Sequence, residues 1–375
     1  MQTFPGFFNS IIDPARYKNI DSALIVVHAN VEIDNFLNAI ARVIRVAGVI
    51  PKSSSKKFSD IKLLRKRYPV IEFDRPSILS SPSEFLNAVD TCTKDEKFVI
   101  LDMGGYFSHV ALDLAKRFKN RIVGVVEDTE NGHQKYEAVV GSKQEFENIF
   151  PIISVARSSL KDPEDALVGQ AIVFSAEAIM RSYGSILLGK RVGVIGFGKI
   201  GRSIALALLS RGSRVDVYDS NPILITSALS FGFHTSCRPD FLRSADILFC
   251  ATGNKSISSE DGIYFKNGLH IFCATSSDDE FSLCLRKKII NSSALVKDPA
   301  HKIIFGDKCV YIHNDGNSIN FVHGAVVDKF IELVQGEIIY SIGNLHSAPR
   351  NEISSLPDID KKFIANKWIS YYQYT

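Results

Sequence analysis

Apolar residues in this chain fall into short continuous runs separated by longer stretches of helical spacing, an alternation that predicts a repeated strand-then-helix order. Residues 1 to 20, with Pro5, Gly6 and Pro14, show no clean period and form a lead-in arm. Ala23-Leu-Ile-Val-Val27 is the first strand-type run, ended by His28-Ala-Asn30. Phe36, Ile40, Val43 and Ile44 recur at helical intervals and predict a helix from about Val31 to Ala47. Val70-Ile-Glu-Phe73 predicts a short strand, and Pro82 to Val89 opens a helix. Phe98-Val-Ile-Leu101 is a strand that turns at Asp102-Met-Gly-Gly105, a helix runs through Phe118, and Ile122-Val-Gly-Val-Val126 is the next strand. Strands alternating with helices imply a parallel sheet covered on both faces.

Residues 127 to 166 are polar and loop-like at both ends, and helical spacing resumes from Leu167 to Ile186. Beyond it, Val192 to Ile195, Arg214 to Tyr218, Ala245 to Cys250 and Leu269 to Ala274 are further strand-type runs, and a final helix is expected over Gly324 to Leu333. The expected fold class is α/β with two domains, each a parallel sheet covered by helices. A substrate-binding domain would span residues 1–166 and be completed by about 320–345. A connecting helix would span 167–185, a Rossmann domain 186–318, and a C-terminal tail 346–375. No internal repeat or low-complexity tract interrupts this pattern.

The sharpest local signal is Val192-Gly-Val-Ile-Gly196-Phe-Gly198-Lys-Ile-Gly201, a strand feeding a glycine-rich turn and then the helical run Ile204 to Leu209. A tight strand-to-helix turn needs Gly196, a pyrophosphate against bare backbone needs Gly198, and close helix-on-strand packing needs Gly201. Amides at the helix start supply an anion site. The second strand ends at Asp219, about 20 residues after Gly198, where a carboxylate can bind a ribose 2′-hydroxyl. No Arg or Lys follows within residues 220 to 224 to receive a 2′-phosphate, so NAD is expected over NADP.

Composition narrows the partners. With 44 basic and 41 acidic residues among 375, the net charge of +3 does not call for a polyanion. The basic run Lys52 to Arg67 lacks the density and interleaved aromatics of a nucleic-acid patch. Six cysteines are scattered without CxxC or metal-type spacing, and no apolar run is long enough for a membrane span. A reduced, cytoplasmic protein without metal, nucleic-acid or membrane partners is therefore expected.

The cofactor motif, the strand Arg214 to Asp219 with Ser220-Asn-Pro222, and Ala251-Thr-Gly-Asn254 together resemble the cofactor domain of adenosylhomocysteinase. Upstream, Ile100-Leu-Asp-Met-Gly-Gly105 resembles the family's Leu-Asp-Asp-Gly-Gly. Val126-Glu-Asp-Thr-Glu-Asn-Gly132 resembles Ser-Glu-Glu-Thr-Thr-Thr-Gly, and Val27-His-Ala-Asn-Val-Glu32 resembles His-Met-Thr-Val-Glu. Order and spacing agree over residues ~20 to 325. The resemblance implies oxidation of a nucleoside's ribose 3′-hydroxyl with tightly held NAD, loss of a proton from C4′, reversible departure of a 5′-thiol, and return of the hydride. It places Lys161 and Asp165 at the ribose hydroxyls, with a residue of slack, and His28 and Asp128 on the substrate side as proton-transfer and hydroxyl-binding groups. Cofactor contacts would come from Gly196, Gly198, Lys199, Ile200, Gly201, Asp219, Thr129, Ala251, Thr252, Gly253 and Asn254. It also points to a homo-oligomer, because the family's tail reaches a neighbouring subunit with a Lys and a Tyr spaced as Lys367 and Tyr371 are here; a terminal helix docked on its own subunit is the alternative, and the sequence does not fix the oligomer.

Departures fall on the substrate side. Met103 replaces an aspartate that does acid–base work, Asp128 a glutamate, and Ala166 an asparagine. Glu130 and Asn131 replace two threonines, a serine at 276 or 277 stands near a histidine, and Asn317 lies in what the family has as a Gly-His-Pro-Ser turn. Methionine has no useful proton to exchange, so the 3′-redox half of the chemistry is better preserved than the C4′ half. An adenosylhomocysteinase-like enzyme, a nucleoside or sugar oxidoreductase or epimerase without thioether cleavage, and an inactive NAD-binding protein all remain open. So do blander roles: His28 bonded to backbone at a strand end, and Lys161 to Asp165 as an exposed loop.

Overall fold

In the computed structural model, residues 6–28, 33–52, 58–141, 149–292, 300–324 and 327–373 are described. The chain divides into two compact units, residues 1–161 with 329–375, and residues 162–328. The Ala29 to Glu32 part of the substrate-side motif, the start of the helix expected at Val31, and Ala325 and Val326 lie outside the described residues.

The first unit is built on a six-stranded sheet. Its strands are β1 (Ser22–Val27), β2 (Arg45–Pro51), β3 (Phe98–Asp102), β4 (Ile122–Glu127), β5 (Ile152–Ser154) and, from the far end of the chain, β13 (Ile353–Ser354). Their order is β13-β5-β4-β3-β1-β2, and every pairing is parallel. Residues of β1 and β3 are buried on both faces. Alternate residues serve two separate cores: Ala23, Ile25 and Val27 belong to one, Leu24 and Val26 to the other. That two-sided burial explains why these strands appear in the sequence as unbroken apolar runs.

The helices α1 (Gly6–Ile11), α2 (Ile33–Ala41), α8 (Phe330–Ile342) and α9 (Asp358–Gln373) supply the first of those cores. The helices α3 (Pro82–Thr93), α4 (Ala111–Arg117) and α5 (Glu130–Gly141) line the other. Three expectations need correction. The helix expected to reach Ala47 stops at Ala41, and Arg45 to Pro51 is a strand. Val70 to Phe73 makes a single bridge, Val70 to Val49, rather than a strand. The final helix begins at Phe330 instead of Gly324. The tail folds back within its own unit: Trp368 Nε1 donates to the Lys329 carbonyl at 3.1 Å, and Tyr340 donates to Asp360 at 3.1 Å.

The second unit holds β6 (Arg191–Ile195), β7 (Arg214–Tyr218), β8 (His234–Thr235), β9 (Ile247–Cys250), β10 (Leu269–Cys273), β11 (Ala300–Phe305) and β12 (Lys308–His313) in the order β11-β12-β10-β9-β6-β7-β8. Taken from β6 as its first strand, this is the 3-2-1-4-5-6 order of a doubly wound dinucleotide fold, with β11 added antiparallel to β12. Helix α6 (Asp162–Ser182), expected as a connector from Leu167, belongs to this unit and packs along α7 (Lys199–Ser210). Gly169 permits that approach, since a Cβ there would stand 2.3 Å from Ser203 Oγ. No helix among the described residues is long and apolar enough to cross a membrane.

Candidate functional site

In open parallel sheets, ligands bind beyond the carboxyl ends of the strands, where the order of strands reverses. In the second unit that point lies between β6 and β9. The turn after β6 meets there the loop after β9, and each fingerprint glycine has its own steric cause. Gly196 has φ +95°, and a Cβ there would lie 2.8 Å from the Ala251 carbonyl oxygen. A Cβ on Gly201 would sit 1.9 Å from the Gly196 carbonyl oxygen, so helix and turn could not close. At Gly198, the N-cap of α7, a Cβ would meet nothing within 4 Å: the space a dinucleotide's pyrophosphate requires is open, in front of the amides of Lys199 and Ile200. The residues present therefore fit NAD.

Asp219, just past β7, accepts from the amide of Phe197 at 2.7 Å and from that of Asn221 at 2.8 Å. Its carboxylate is thereby held half-buried against the turn. The loop Ala251 to Asn254 is tied down by a residue that sequence reasoning missed. Fully buried Glu280 accepts from the amides of Thr252 and Gly253, both at 2.9 Å, from the Thr252 hydroxyl at 3.0 Å and from the Thr275 hydroxyl at 2.9 Å. The carboxylate thus fixes the loop facing the turn, a role that a sequence of three consecutive acids, Asp278 to Glu280, does not single out. Of the departures, Ser277 and Asn317 meet: the Ser277 amide donates to Asn317 Oδ1 at 3.1 Å.

The first unit gathers its chemistry on the corresponding edge of its sheet. His28 follows β1, Lys52 follows β2, Asp102 ends β3, Asp128 follows β4, and Lys161 lies in a 3-10 turn beyond β5. Lys161 Nζ donates to Asp128 Oδ1 at 2.8 Å, with about a tenth of each side chain exposed. The loop reading of Lys161 is thus set aside. Burial, then the cations of Lys52 and Lys161, hold His28 well below the usual imidazole range. It is a neutral ring near neutral pH, and the same burial and cations oppose its protonation.

Two buried carboxylates here have other work. Asp102 accepts from the amides of Met103, Tyr106 and Phe107 and from the Tyr136 hydroxyl at 2.7 Å, which occupies it as an anchor for the turn after β3. Glu127 accepts from the amides of Gly104, Gly105 and Thr129 and from the Thr129 hydroxyl. Burial and the Asp102 charge push its carboxyl up to about 7, against the hydrogen bonds from Gly104 and Thr129. Gly132 makes room for this carboxylate, since a Cβ there would stand 2.1 Å from Glu127 Cδ. Thr129, expected at the cofactor, spends its hydroxyl within this turn. Met103 packs half-buried against the apolar cluster of Phe85 and Phe107, and Glu130 pairs at the surface with Arg157 at 2.7 Å.

Asp165, expected beside Lys161, belongs to the other unit. It lies in the first turn of α6, buried, 3.8 Å from Lys199 Nζ, whose closer partner is Asp162 at 2.8 Å. A residue expected at the substrate and one expected at the cofactor thus share an ion-pair cluster in the second unit. Ala166, where the family has an asparagine, offers its carbonyl to the Ser203 hydroxyl at 2.6 Å.

Residues 173–325 match the family model of the S-adenosyl-L-homocysteine hydrolase NAD binding domain. An adenosylhomocysteinase of Thermoplasma volcanium is 24% identical over 85% of this chain and 77% of its own. That of Thermotoga maritima is 26% identical over 70% of this chain, and the match spans 66% of the relative's length. A solved pyruvate reductase of Chlamydomonas reinhardtii aligns at 11% identity over 90% of this chain and 100% of its own, with a TM-score of 0.46. Fold and fingerprint define a two-domain α/β protein that binds NAD. The second unit carries the NAD-binding domain of that family, and most of the chain is similar to adenosylhomocysteinases at 24–27% identity.

NAD should bind far more tightly than NADP, because Asp219 meets a 2′-phosphate with like charge. Calorimetric titration checks this, and Asp219→Ala should narrow the gap between the two cofactors; equal affinities in the unaltered protein would mean that Asp219 does not face the ribose.

Proposed function

We propose that this protein is an NAD-dependent enzyme that oxidises the ribose 3′-hydroxyl of a nucleoside. The observation that carries the reading is the buried Lys161–Asp128 pair at 2.8 Å, on the ligand-binding edge of the first unit's sheet. A lysine in that position can take the hydroxyl proton, and Asp128 can orient amine and substrate alike. His28, neutral near pH 7, can hydrogen-bond a substrate hydroxyl on the same edge, and would take up a proton there only when a bound substrate screens Lys52 and Lys161. Gly196, Gly198, Lys199, Ile200, Gly201 and Asp219 would hold NAD, with the loop Ala251 to Asn254 opposite; the bound cofactor supplies the hydride acceptor. Asp165 would act with Lys199 rather than as a second base beside Lys161.

Reversible cleavage of a 5′-thioether, the reaction in the name of the relatives, needs a base at C4′ as well. Met103 cannot serve, and Asp102 is engaged by four donors. The Met103 position therefore favours an oxidoreductase or epimerase without thioether cleavage over a full hydrolase. The test is incubation with adenosine in heavy water, following near-ultraviolet absorbance for cofactor reduction and mass spectrometry for deuterium at C4′. Reduction should outrun C4′ exchange. Exchange as fast as reduction would restore the hydrolase reading with His28 as base, and no reduction with any nucleoside would leave a binding protein.

A further inference from the structure

The turn after β3 draws cations. Lys52, just past β2, and Arg75, which opens the short helix Arg75–Ser80, are both buried, although their residue types are among those least often found inside a protein. Arg75 Nη1 donates to the Gly104 carbonyl at 3.1 Å, and Lys135 Nζ, reaching back from α5, donates to the same oxygen at 3.1 Å. Lys52 Nζ lies 3.3 Å, and Arg75 Nη1 4.0 Å, from the point where a Cβ on Gly104 would stand. With φ +96° and no side chain, Gly104 leaves that space open to both. Three positive ends from three separate elements thus meet around one glycine.

The carboxylates of this edge do not explain the gathering, because their bonds lead elsewhere. Asp102 is met by three amides and the Tyr136 hydroxyl, and Asp128 by Lys161. Asp74 caps the helix of Arg75 by accepting from the Ser77 amide at 2.9 Å and the Ser77 hydroxyl at 2.6 Å. Glu127 accepts from the amides of Gly104 and Gly105, yet burial and the Asp102 charge push it up, the opposite of what a cation set against it would do. The cations instead face the substrate side: after burial, Lys52 is the first of the two lysines that hold His28 low.

We propose that the substrate is a nucleoside 5′-monophosphate, whose phosphate is bound by Lys52, Arg75 and Lys135 at the Gly104 turn. The proposal rests on the reading of the Lys161–Asp128 pair as the site of the 3′-hydroxyl. Asp128 follows β4 and Gly104 follows the neighbouring β3, and the Asp128 amide donates to the Asp102 carbonyl at 3.1 Å. One strand spacing, about 5 Å, is also the span of a ribose from its 3′-hydroxyl to its 5′ substituent.

A phosphate suits these residues better than a neutral group. Near neutral pH it carries up to two negative charges on three outer oxygens, and the guanidinium fork of an arginine can bind two of them at once. Arg75 is steadied for this by the Tyr106 ring, 5.6 Å from its guanidinium carbon. Two buried ammonium and guanidinium groups this close also repel each other, and a bound anion relieves that repulsion. Met103 fits the same picture. An aspartate on this turn would face the phosphate with like charge, and methionine does not.

The experiment compares adenosine 5′-monophosphate with adenosine as reductants of bound NAD in the full-length protein, followed by near-ultraviolet absorbance. The wild type should favour the nucleotide in kcat/KM by about 10–100-fold, the span of one or two charged hydrogen bonds. Lys52→Met should bring that ratio close to one, and Lys52→Arg, which keeps the charge, should retain most of it. Arg75→Gln takes the place of Lys52→Met if that variant does not fold. A wild-type ratio of one or less, or a preference that survives the loss of Lys52 or Arg75, overturns the proposal while leaving the 3′-oxidation reading in place. If neither compound reduces the cofactor, the function reading fails, and the phosphate site is decided by calorimetric titration of the NAD-saturated protein with adenosine 5′-monophosphate. Binding that weakens at least about tenfold in Lys52→Met supports the site; absent or unchanged binding overturns it.

Discussion

Lys161→Met should slow nucleoside-dependent cofactor reduction by about 10²–10⁴-fold, the span that loss of a general base covers, while NAD affinity stays as it was. Methionine keeps much of the length and apolar stem of lysine but takes no proton. The single change also leaves Asp128 buried without the ammonium 2.8 Å away, and an uncompensated buried charge costs about 3–5 kcal/mol. A slow variant could therefore be a damaged one. The double variant Lys161→Met/Asp128→Asn separates the two effects, because it removes both charges of the pair. Its thermal stability should recover toward wild type while its rate stays low. A double variant that regains both would make the pair structural and remove Lys161 from the chemistry.

How much of this was legible in the sequence depended on how local the cause was. Gly196, Gly198 and Gly201 could be interpreted because each answers a constraint within a few residues, and the steric distances bear out the turn and the helix contact. Arg45 to Pro51 was not, because Val43, Ile44, Val46 and Ala47 continue the apolar spacing of the preceding helix, and a strand buried on both faces has no alternation to betray it. Helix α5 was overlooked for the opposite reason: only Gly132 and Tyr136 of its residues are buried, so it lacks an apolar stripe. The hairpin of β11 and β12 turns at Gly306, φ +62°, a signal that was present and went unused. Lys161 and Asp165 are four positions apart in the chain and fall to different units, which no spacing argument could separate. Glu337 in Val-Gln-Gly-Glu-Ile-Ile looks like the polar face of a helix; only the packing of α8 between the sheet and α9 makes it an interior residue.

That interior carboxyl also predicts a stability effect whose sign can be worked out in advance. The folded protein raises Glu337 from 4.5 to about 7, by burial first and against Ser158 and the lysines. Between those two values the folded state holds a proton that the unfolded state has released, so stability falls as pH rises through the window and the loss is complete above it. At about 1.4 kcal/mol per unit, the shift from 4.5 to about 7 corresponds to a loss of about 3 kcal/mol. Glu337→Gln has no such proton to lose. Relative to wild type it should gain about 3 kcal/mol between mildly acidic and mildly alkaline conditions, read as the change in the variant-minus-wild-type difference in denaturant unfolding. The difference is the right quantity because Glu127, also raised to about 7, contributes the same slope to both proteins, and depressed His28 the same opposite one. Glutamine leaves those groups in place, so their contributions cancel. A difference that stays flat with pH would mean that Glu337 does not titrate in the window, and the carboxyl would then be a fixed charge rather than an exchangeable proton.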